Sequence, residues 1–314
     1  MRIFLSTIVL CFCATFMGAS PVKAAEEGIA VIINDSVITY SDIKDRIQLI
    51  MQSSGIPNTA DMRKKMMPQI TNMLIEEQLK LQEASELGFE VSKEKVKEGL
   101  VGIAKQNNIP VDKFEEMLQA SGINLETLHD QIRAEIAWGR VVSAKVRPQI
   151  DVTETDIDAE LAFLEHNIGG KQYLLSEIFL SVDKPENADA IHQTALKLYQ
   201  QLKAKPDSLA SVARQFSQAA GATNGGDQGW VETGQSEAAI ELVLAILPKG
   251  TISQPIRSLS GYHIFFVRDK RSMTPENIPD REAIEAKIGN QRLSRRAKSY
   301  LLDLKANAFI ENRV

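Results

Sequence analysis

Four histidines and two cysteines are the side chains of this chain best suited to proton transfer, metal binding or nucleophilic attack. His263 alone among them sits where the sequence fixes its place. It follows Gly261-Tyr262 and leads into Ile264-Phe265-Phe266-Val267, a β-rich run that would hold an imidazole at a set point on a strand. The same block opens at Phe216-Ser217 and passes through the turn Gly225-Gly226-Asp227-Gln228-Gly229-Trp230, whose glycines supply backbone freedom. That turn reads as a backbone-geometry element. No Gly-Lys-Ser/Thr follows it and no dinucleotide fingerprint surrounds it, which excludes a phosphate loop. His129, His166 and His192 are scattered on polar helical stretches without metal-ligand spacing, so no metal site is expected. Glu76-Glu77 and Glu115-Glu116 are adjacent carboxylates of the kind that mark a solvated helix face. No Ser-His-Asp order emerges.

The first two dozen residues stand apart. Arg2 leads an apolar run over 3–17, and Val22-Lys23-Ala24 offers small residues suited to a signal peptidase. The run is short and close to the terminus and predicts a secretory signal, 1–24, cleaved after Ala24, with an uncleaved membrane anchor as the alternative. Neither Cys11 nor Cys13 follows the small residue that a lipoprotein signal needs. Both leave with the signal, and cysteine chemistry leaves with them. Arg2 and Lys23 leave too, taking the formal charge from −5 to −7. A mildly acidic exported protein is a poor nucleic-acid binder and gains little from anionic lipid, so neither nucleic acid nor stable membrane insertion is expected.

The elements that must position His263 follow from periodicity. Strands are predicted at 29–33 and 37–39 around an Asn34-Asp35 turn. Ser41 or Asp42 would then cap a helix bearing Ile43, Ile47 and Ile50. Gly55-Ile56-Pro57-Asn58 breaks it. A long helical pattern runs to Leu87, beginning or bending at Pro68 and stopped by Gly88. Further helices read over 92–106, 111–120, 124–145 and 153–165, and Gly169-Gly170 marks a change of character. Beyond it the order is strand 173–182, helices 187–204 and 208–216, the glycine turn, helix 237–247 and strand 262–268. This is one compact β-α-α-α-β unit. A polar linker with Pro275 and Pro279 leads to a last helix over 281–307, whose apolar residues need a partner surface. The N-terminal helices are the expected one.

Residues 172–271 resemble a parvulin-type peptidyl-prolyl cis-trans isomerase domain. The carriers are Ser176-Glu177-Ile178-Phe179-Leu180, Gln215-Phe216-Ser217, the glycine turn and Gly261-Tyr262-His263-Ile264. The rest resembles the SurA-type periplasmic chaperones, through Ile29-Ala30-Val31-Ile32-Ile33-Asn34-Asp35 and Ile103-Ala104-Lys105-Gln106-Asn107-Asn108. The implied fold class is α+β. A mostly helical SurA-like module over 25–168 would be completed by the C-terminal helix, 280–314. A linker over 272–279 would follow one parvulin-like domain with an FKBP-like antiparallel sheet and surrounding helices.

The reaction of such a domain is rotation about an X-Pro amide, over a barrier of about 18–20 kcal/mol set by amide resonance. Favouring the twisted amide needs an apolar grip on the proline ring and polar groups around the carbonyl, with no cofactor. The family surrounds its site with a histidine on the first strand, another on the last, a Cys or Asp after the Phe-Ser element, and apolar pocket residues. Carried over, the resemblance assigns His263 and Ser260 as catalytic positions. Glu177 falls where the first-strand histidine would be, and Ala219 where the Cys or Asp would be. The pocket positions fall on Gln228, Ser236 and Ile240, and Trp230 and Ser258 join them as substrate-binding candidates. A hydrogen bond from Glu177 to His263 would be the substitute for the two-histidine network.

The resemblance and the signal imply a secreted, periplasmic folding factor that binds unfolded or extended polypeptides, outer-membrane proteins among them, and these departures imply weak or vestigial isomerase activity. A fully active isomerase and a non-enzymatic, export-linked scaffold for one folded partner are the alternatives. Met51, Met62, Met66, Met67 and Met73 fall in one stretch, which suits either an adaptable surface for apolar clients or simply a helical core.

Overall fold

The computed structural model describes residues 28–314 apart from 55–57, 107, 183–184 and 220, so the expected signal and its cleavage point lie outside the described residues. The chain begins there with a hairpin, β1 (Ile29–Ile33) and β2 (Ser36–Thr39). Asn34 turns the corner at φ 50°, a left-handed conformation that asparagine accepts more readily than most residues.

Six helices follow: α1 (Tyr40–Ser54), α2 (Ala60–Glu86), α3 (Lys93–Gln106), α4 (Val111–Ala120), α5 (Leu125–Val141) and α6 (Glu154–His166). Their caps explain most boundaries. α1 starts one residue earlier than its expected cap. Thr39 is the capping residue, accepting from Asp42 N (3.2 Å) while the Asp42 carboxylate accepts from Thr39 N (2.8 Å). α2 is capped by Thr59 and therefore runs through Pro68, so the proline neither begins nor ends it. At its far end Gly88 takes φ 72°, and the bonds Gly88 N to Ser85 O and Phe89 N to Ala84 O close the helix.

One ionic contact ties three of these helices. Arg46 of α1 is 1% exposed and donates to both oxygens of Glu77 on α2 (2.5 and 2.8 Å) and to the Thr127 carbonyl on α5 (3.1 Å). The methionine stretch is core. Met51, Met62 and Met66 are buried, and Met67 and Met73 pack against the same cluster, so these residues do not form an exposed adaptable surface. The cause is spacing: Met62, Met66 and Ile70 recur at i, i+4 on a face of α2 that is covered.

The second half opens with β3 (Lys171–Ser181), then α7 (Ala188–Ala204) and α8 (Leu209–Phe216). The glycine turn then feeds β4 (Asp227–Glu232), a strand where the sequence suggested only a turn. After α9 (Ala238–Ile246) come two short strands that periodicity did not suggest, β5 (Thr251–Ile252) and β6 (Ile256–Arg257), and then β7 (Gly261–Ser272). The sheet order is β4-β3-β7-β5, with β6 also on β7, and every pairing is antiparallel. On one face Ile178, Leu180 and Ile264 pack with Leu198, Leu202, Val212 and Phe216 of α7 and α8. On the other, Tyr173, Leu175, Phe265 and Val267 pack with Ile240 and Leu244 of α9.

The last helix, α10 (Arg281–Asn307), lies on the N-terminal helices, and the chain ends in β8 (Ile310–Asn312), which pairs with β1. Tyr300 of α10 donates to Glu83 of α2 (2.5 Å) and stacks on Trp138 of α5. Burial, helped by the Glu83 carboxylate, pushes the Tyr300 hydroxyl up to about 12. Asp156 of α6 pairs with Arg292 of α10 (2.6 Å), and that guanidinium together with the Thr153 N–H holds the carboxyl well below the usual range. Among the described residues, no helix is long and apolar enough to cross a membrane.

Truncating Arg46 leaves Glu77 nearly buried without its partner. Arg46→Ala is therefore expected to lower unfolding free energy by about 3–5 kcal/mol, while the paired change Arg46→Met with Glu77→Leu recovers most of that loss. Urea titrations followed by circular dichroism measure both.

Candidate functional site

The site is a product of strand register. β3 and β7 pair so that Phe179 faces His263 and Glu177 faces Phe265. Side chains alternate along a strand, so Glu177, Phe179, His263 and Phe265 share one face of the sheet. Glu177 and His263 are diagonal neighbours there, within reach of two long side chains.

Two glycines make the register possible. A Cβ on Gly261 would lie 2.1 Å from the Leu180 carbonyl oxygen, so only glycine lets β7 start this close to β3. Gly226, at φ 84°, would place a Cβ 2.5 Å from the Glu177 carbonyl oxygen. Its own carbonyl accepts from Glu177 N (2.7 Å), which fixes the backbone that carries the carboxylate. The glycine turn is thus a holding element for Glu177, in keeping with its reading as backbone geometry.

A continuous polar chain runs across the face. Gln228 Nε2 donates to Glu177 Oε2 (2.8 Å), and Glu177 Oε1 lies 2.5 Å from His263 Nδ1. His263 Nε2 lies 2.7 Å from Ser258 Oγ. Ser258 Oγ accepts from Gly261 N (3.2 Å) and Ser260 N (3.3 Å) and lies 3.3 Å from Ser260 Oγ. Proton bookkeeping assigns the network. An ionised carboxylate only accepts, so Nδ1 carries a hydrogen toward Glu177. Ser258 Oγ already accepts from two backbone N–H groups, and its own hydrogen has His263 Nε2 at 2.7 Å and the more distant Gly261 carbonyl at 3.3 Å as acceptors. Both imidazole nitrogens are therefore engaged inside the protein. Phe179 covers the ring, with centroids 4.6 Å apart, and Phe265 stacks on it at 5.8 Å. The His263 and Glu177 side chains are 13% and 14% exposed, so neither projects from the surface.

The other candidates divide. Gln228 and Ser258 belong to the network, and Ser260 places an exposed hydroxyl at its outer end. Gln228 reaches Glu177 because a bulge in β4 inserts it between the rungs of Asp227 and Gly229. Ala219 brings no polar side chain, and the neighbouring Gln218 spends its Oε1 on Ser181 N (2.7 Å). Ile240 is 5% exposed and packs in the core beneath α9, so it lines no open pocket. Ser236 is held by its backbone, whose N–H donates to Glu241 Oε1 (3.0 Å). Trp230 pairs with Leu174 and is covered by the Arg271 guanidinium, 3.9 Å from the ring centroid. Leu174 neighbours Leu175 on β3 and so points to the opposite face, which takes Trp230 away from His263.

Two contributors escaped sequence reasoning. Phe179 is the ring that walls His263, and its signal was its two-residue spacing from Glu177. Ser217 Oγ accepts from Phe179 N (3.0 Å) and Ala219 N (3.2 Å), which gives the Phe-Ser element a structural role. Among the described residues no cluster of metal-ligating side chains occurs. One groove of about 480 Å³ lies between residues 147–152 and α10, and another of about 490 Å³ lies between α3 and α4; neither is lined by the His263 network.

Comparison with known proteins follows the same division of the chain. A model of the SurA N-terminal domain matches residues 27–142, and a model of the PPIC-type PPIase domain matches residues 178–269. Chaperone SurA of Pseudomonas syringae pv. tomato is 29% identical over 254 residues, covering 78% of this chain and 58% of that protein. Chaperone SurA of Chromohalobacter salexigens is 27% identical over 281 residues, covering 87% and 63%. The chain therefore spans about six tenths of the length of these curated relatives. Among solved structures, a PpiC-type peptidyl-prolyl cis-trans isomerase domain is 32% identical, covering 34% of this chain and 97% of its own, with a TM-score of 0.33. A SurA-like chaperone of Campylobacter jejuni is 15% identical, covering 91% and 100%, with a TM-score of 0.41.

Removing the carboxylate tests the assigned network. In Glu177→Ala the His263 Nδ1 hydrogen and the Gln228 amide both lose their acceptor, at an expected cost of about 1–3 kcal/mol. A slowly exchanging imidazole Nδ1–H resonance is expected by NMR in the wild type and should be absent from the variant.

Proposed function

We propose that this SurA-type chain, a SurA N-terminal domain joined to a PPIC-type PPIase domain, is a periplasmic folding factor that holds unfolded polypeptides and retains only weak isomerase activity. Outer-membrane proteins in transit are the proposed clients. The isomerase-type unit serves as a second binding surface beside the helical module.

The observation that carries this reading is the occupancy of His263. Catalysis of amide rotation requires groups that stabilise the twisted amide more than the planar one. An imidazole whose two nitrogens are committed to Glu177 and Ser258 has no ring N–H or lone pair to aim at a substrate carbonyl. Ala219 offers no polar side chain in the place where the family has a Cys or Asp, and the neighbouring Gln218 is oriented by its Oε1, which accepts from Ser181 N. The apolar grip is also reduced, since Ile240 is core and Gln228 and Ser236 are polar. What remains is a sheet edge with an exposed Ser260 hydroxyl and polar margins over two buried phenylalanines, which suits holding an extended chain better than twisting one.

The test sets a proline-isomerisation assay beside an aggregation-suppression assay on the same preparations. Wild type is expected to suppress aggregation of an unfolded outer-membrane protein. It should accelerate isomerisation by less than about tenfold, roughly 1.4 kcal/mol off a barrier near 20 kcal/mol. Glu177→His with Ala219→Asp should raise the isomerisation rate without changing aggregation suppression. Wild-type acceleration beyond about a thousandfold would establish the isomerase reading instead. Tight binding to a single folded protein, with no affinity for unfolded chains, would establish the scaffold.

A further inference from the structure

Of the seven cationic residues on α10, five pair with carboxylates. Arg281 meets Glu154 and Asp158, Lys287 meets Glu160 and Glu232, Arg292 meets Asp156, Arg296 meets Asp303 and Lys305 meets Glu76. Among the described residues, Arg295 and Lys298 have no carboxylate partner. They sit three residues apart and so share one side of the helix, in an exposed row with Gln291 and Leu302. On a protein with a formal charge of −5, two unpaired cations side by side need an explanation.

Their position supplies one. Lys298 Nζ lies 5.2 Å from the centroid of the Phe179 ring, the ring that covers His263 at 4.6 Å. The helix that belongs to the N-terminal module thus brings a free ammonium to the rim of the His263 face. The ammonium-to-ring and ring-to-ring steps together reach at most about three residues of extended chain. The other cation near this rim is already committed. Arg257 donates to the carbonyl oxygens of Ser258 and Gly261 and lies over Tyr262. Glu177, the carboxylate of the site, is engaged by His263 and Gln228. At the Ser258–Ser260 end of the rim the Arg257 charge stands beside the Glu237 carboxylate, which accepts from Leu259 N, whereas the charge at the Phe179 end is positive and comes from α10.

We propose that Arg295 and Lys298 are specificity-determining residues that select client segments bearing an aspartate or glutamate about two or three residues from the residue held at His263. This deepens the polypeptide-binding reading above and rests on it. The side of the bound segment nearer α10 receives the carboxylate, and the His263 face receives the apolar residue, so one segment is read by both halves of the chain. Coulomb attraction at a partly exposed rim is modest and screened by salt, which suits a protein that must also release its clients.

The test uses the full chain and fluorescein-labelled extended peptides with a central Phe-Pro, carrying Glu, Gln or Lys two or three residues to either side, read by anisotropy. The Glu peptide is expected to bind about 3- to 10-fold more tightly than the Gln peptide at low ionic strength, with the margin shrinking as salt rises. In Arg295→Gln with Lys298→Gln the two peptides should bind alike, at the affinity the wild type shows for the Gln peptide, which also reports an intact fold. Lys298→Glu should reverse the preference toward the Lys peptide. Equal wild-type affinity for the Glu and Gln peptides, or a preference that survives the double change, overturns this proposal and leaves polypeptide binding standing. No binding of any peptide overturns both.

Discussion

The pairing of β3 with β7 is the constraint on which the second half of the molecule depends. It runs from Lys171 opposite Ser272 to Ser181 opposite Gly261, with a single irregularity between Leu174 and Leu175. Because side chains alternate, this one register decides every face assignment at once. It sends Ile178, Leu180 and Ile264 to the side covered by α7 and α8, and Glu177, Phe179, His263 and Phe265 to the side that carries the polar network. A slip of one residue would bury the carboxylate and imidazole against helices and expose the isoleucines. The apolar face therefore specifies the register, and the polar network inherits it. Gly261 and Gly226 are the places where the strands and the glycine turn come too close for a side chain, which is why the sequence spends glycines there.

The same apolar face joins the two halves of the chain. The cluster that contains Ile178, Leu180 and the α7 and α8 residues continues into Ile43, Ile47, Met62 and Met66 of α1 and α2. Polar contacts reinforce the seam from another direction. Lys287 of α10 lies between Glu160 of α6 and Glu232 of β4 (3.0 and 3.4 Å). Burial opposes its charge, but the two carboxylates outweigh burial and hold its ammonium above the ordinary lysine range. Desolvation of the ammonium offsets much of that attraction, so the contact fixes position more than it adds stability. The methionines belong to this seam. Their flexibility serves packing between elements of different character, and it is not available to clients.

Much of this was legible beforehand, and what was missed has physical causes. The helices over 111–120 and 281–307 carry clear 3.6-residue periodicity and appear with those bounds. The glycine block and the Gly-Tyr-His-Ile strand marked the second unit correctly, because tight backbone approaches leave a glycine signature. β4 was hidden by that signature: a strand containing Gly229 and following two glycines at positive φ reads as a turn until its partner is known. β5, β6 and β8 are two or three residues long, below the length at which alternation is visible. Thr39 was passed over as a cap because Ser41 and Asp42 offered the same chemistry two and three residues later. Within the site, chain order placed His263 on its strand but could not say that Trp230 faces away or that Ile240 is core. Both facts depend on a bulge and on what α9 covers.

The Glu177–His263 pair commits one imidazole nitrogen to a carboxylate on the same sheet face. An imidazole is useful to a reaction when one nitrogen is left facing the substrate in a defined protonation state. Here the carboxylate takes Nδ1 and the serine takes Nε2, and the serine is in turn held by the Gly261 and Ser260 amides. Every hydrogen-bonding group of the ring is satisfied, so any change that freed a nitrogen for a substrate would leave a partner unpaired in a nearly buried place. Such a network resists rearrangement. It holds Glu177, His263 and Ser258 in fixed positions on the sheet face. In this chain the imidazole is braced by the carboxylate on one side and the serine on the other, and the Lys298 ammonium of α10 lies 5.2 Å from the Phe179 ring that covers it.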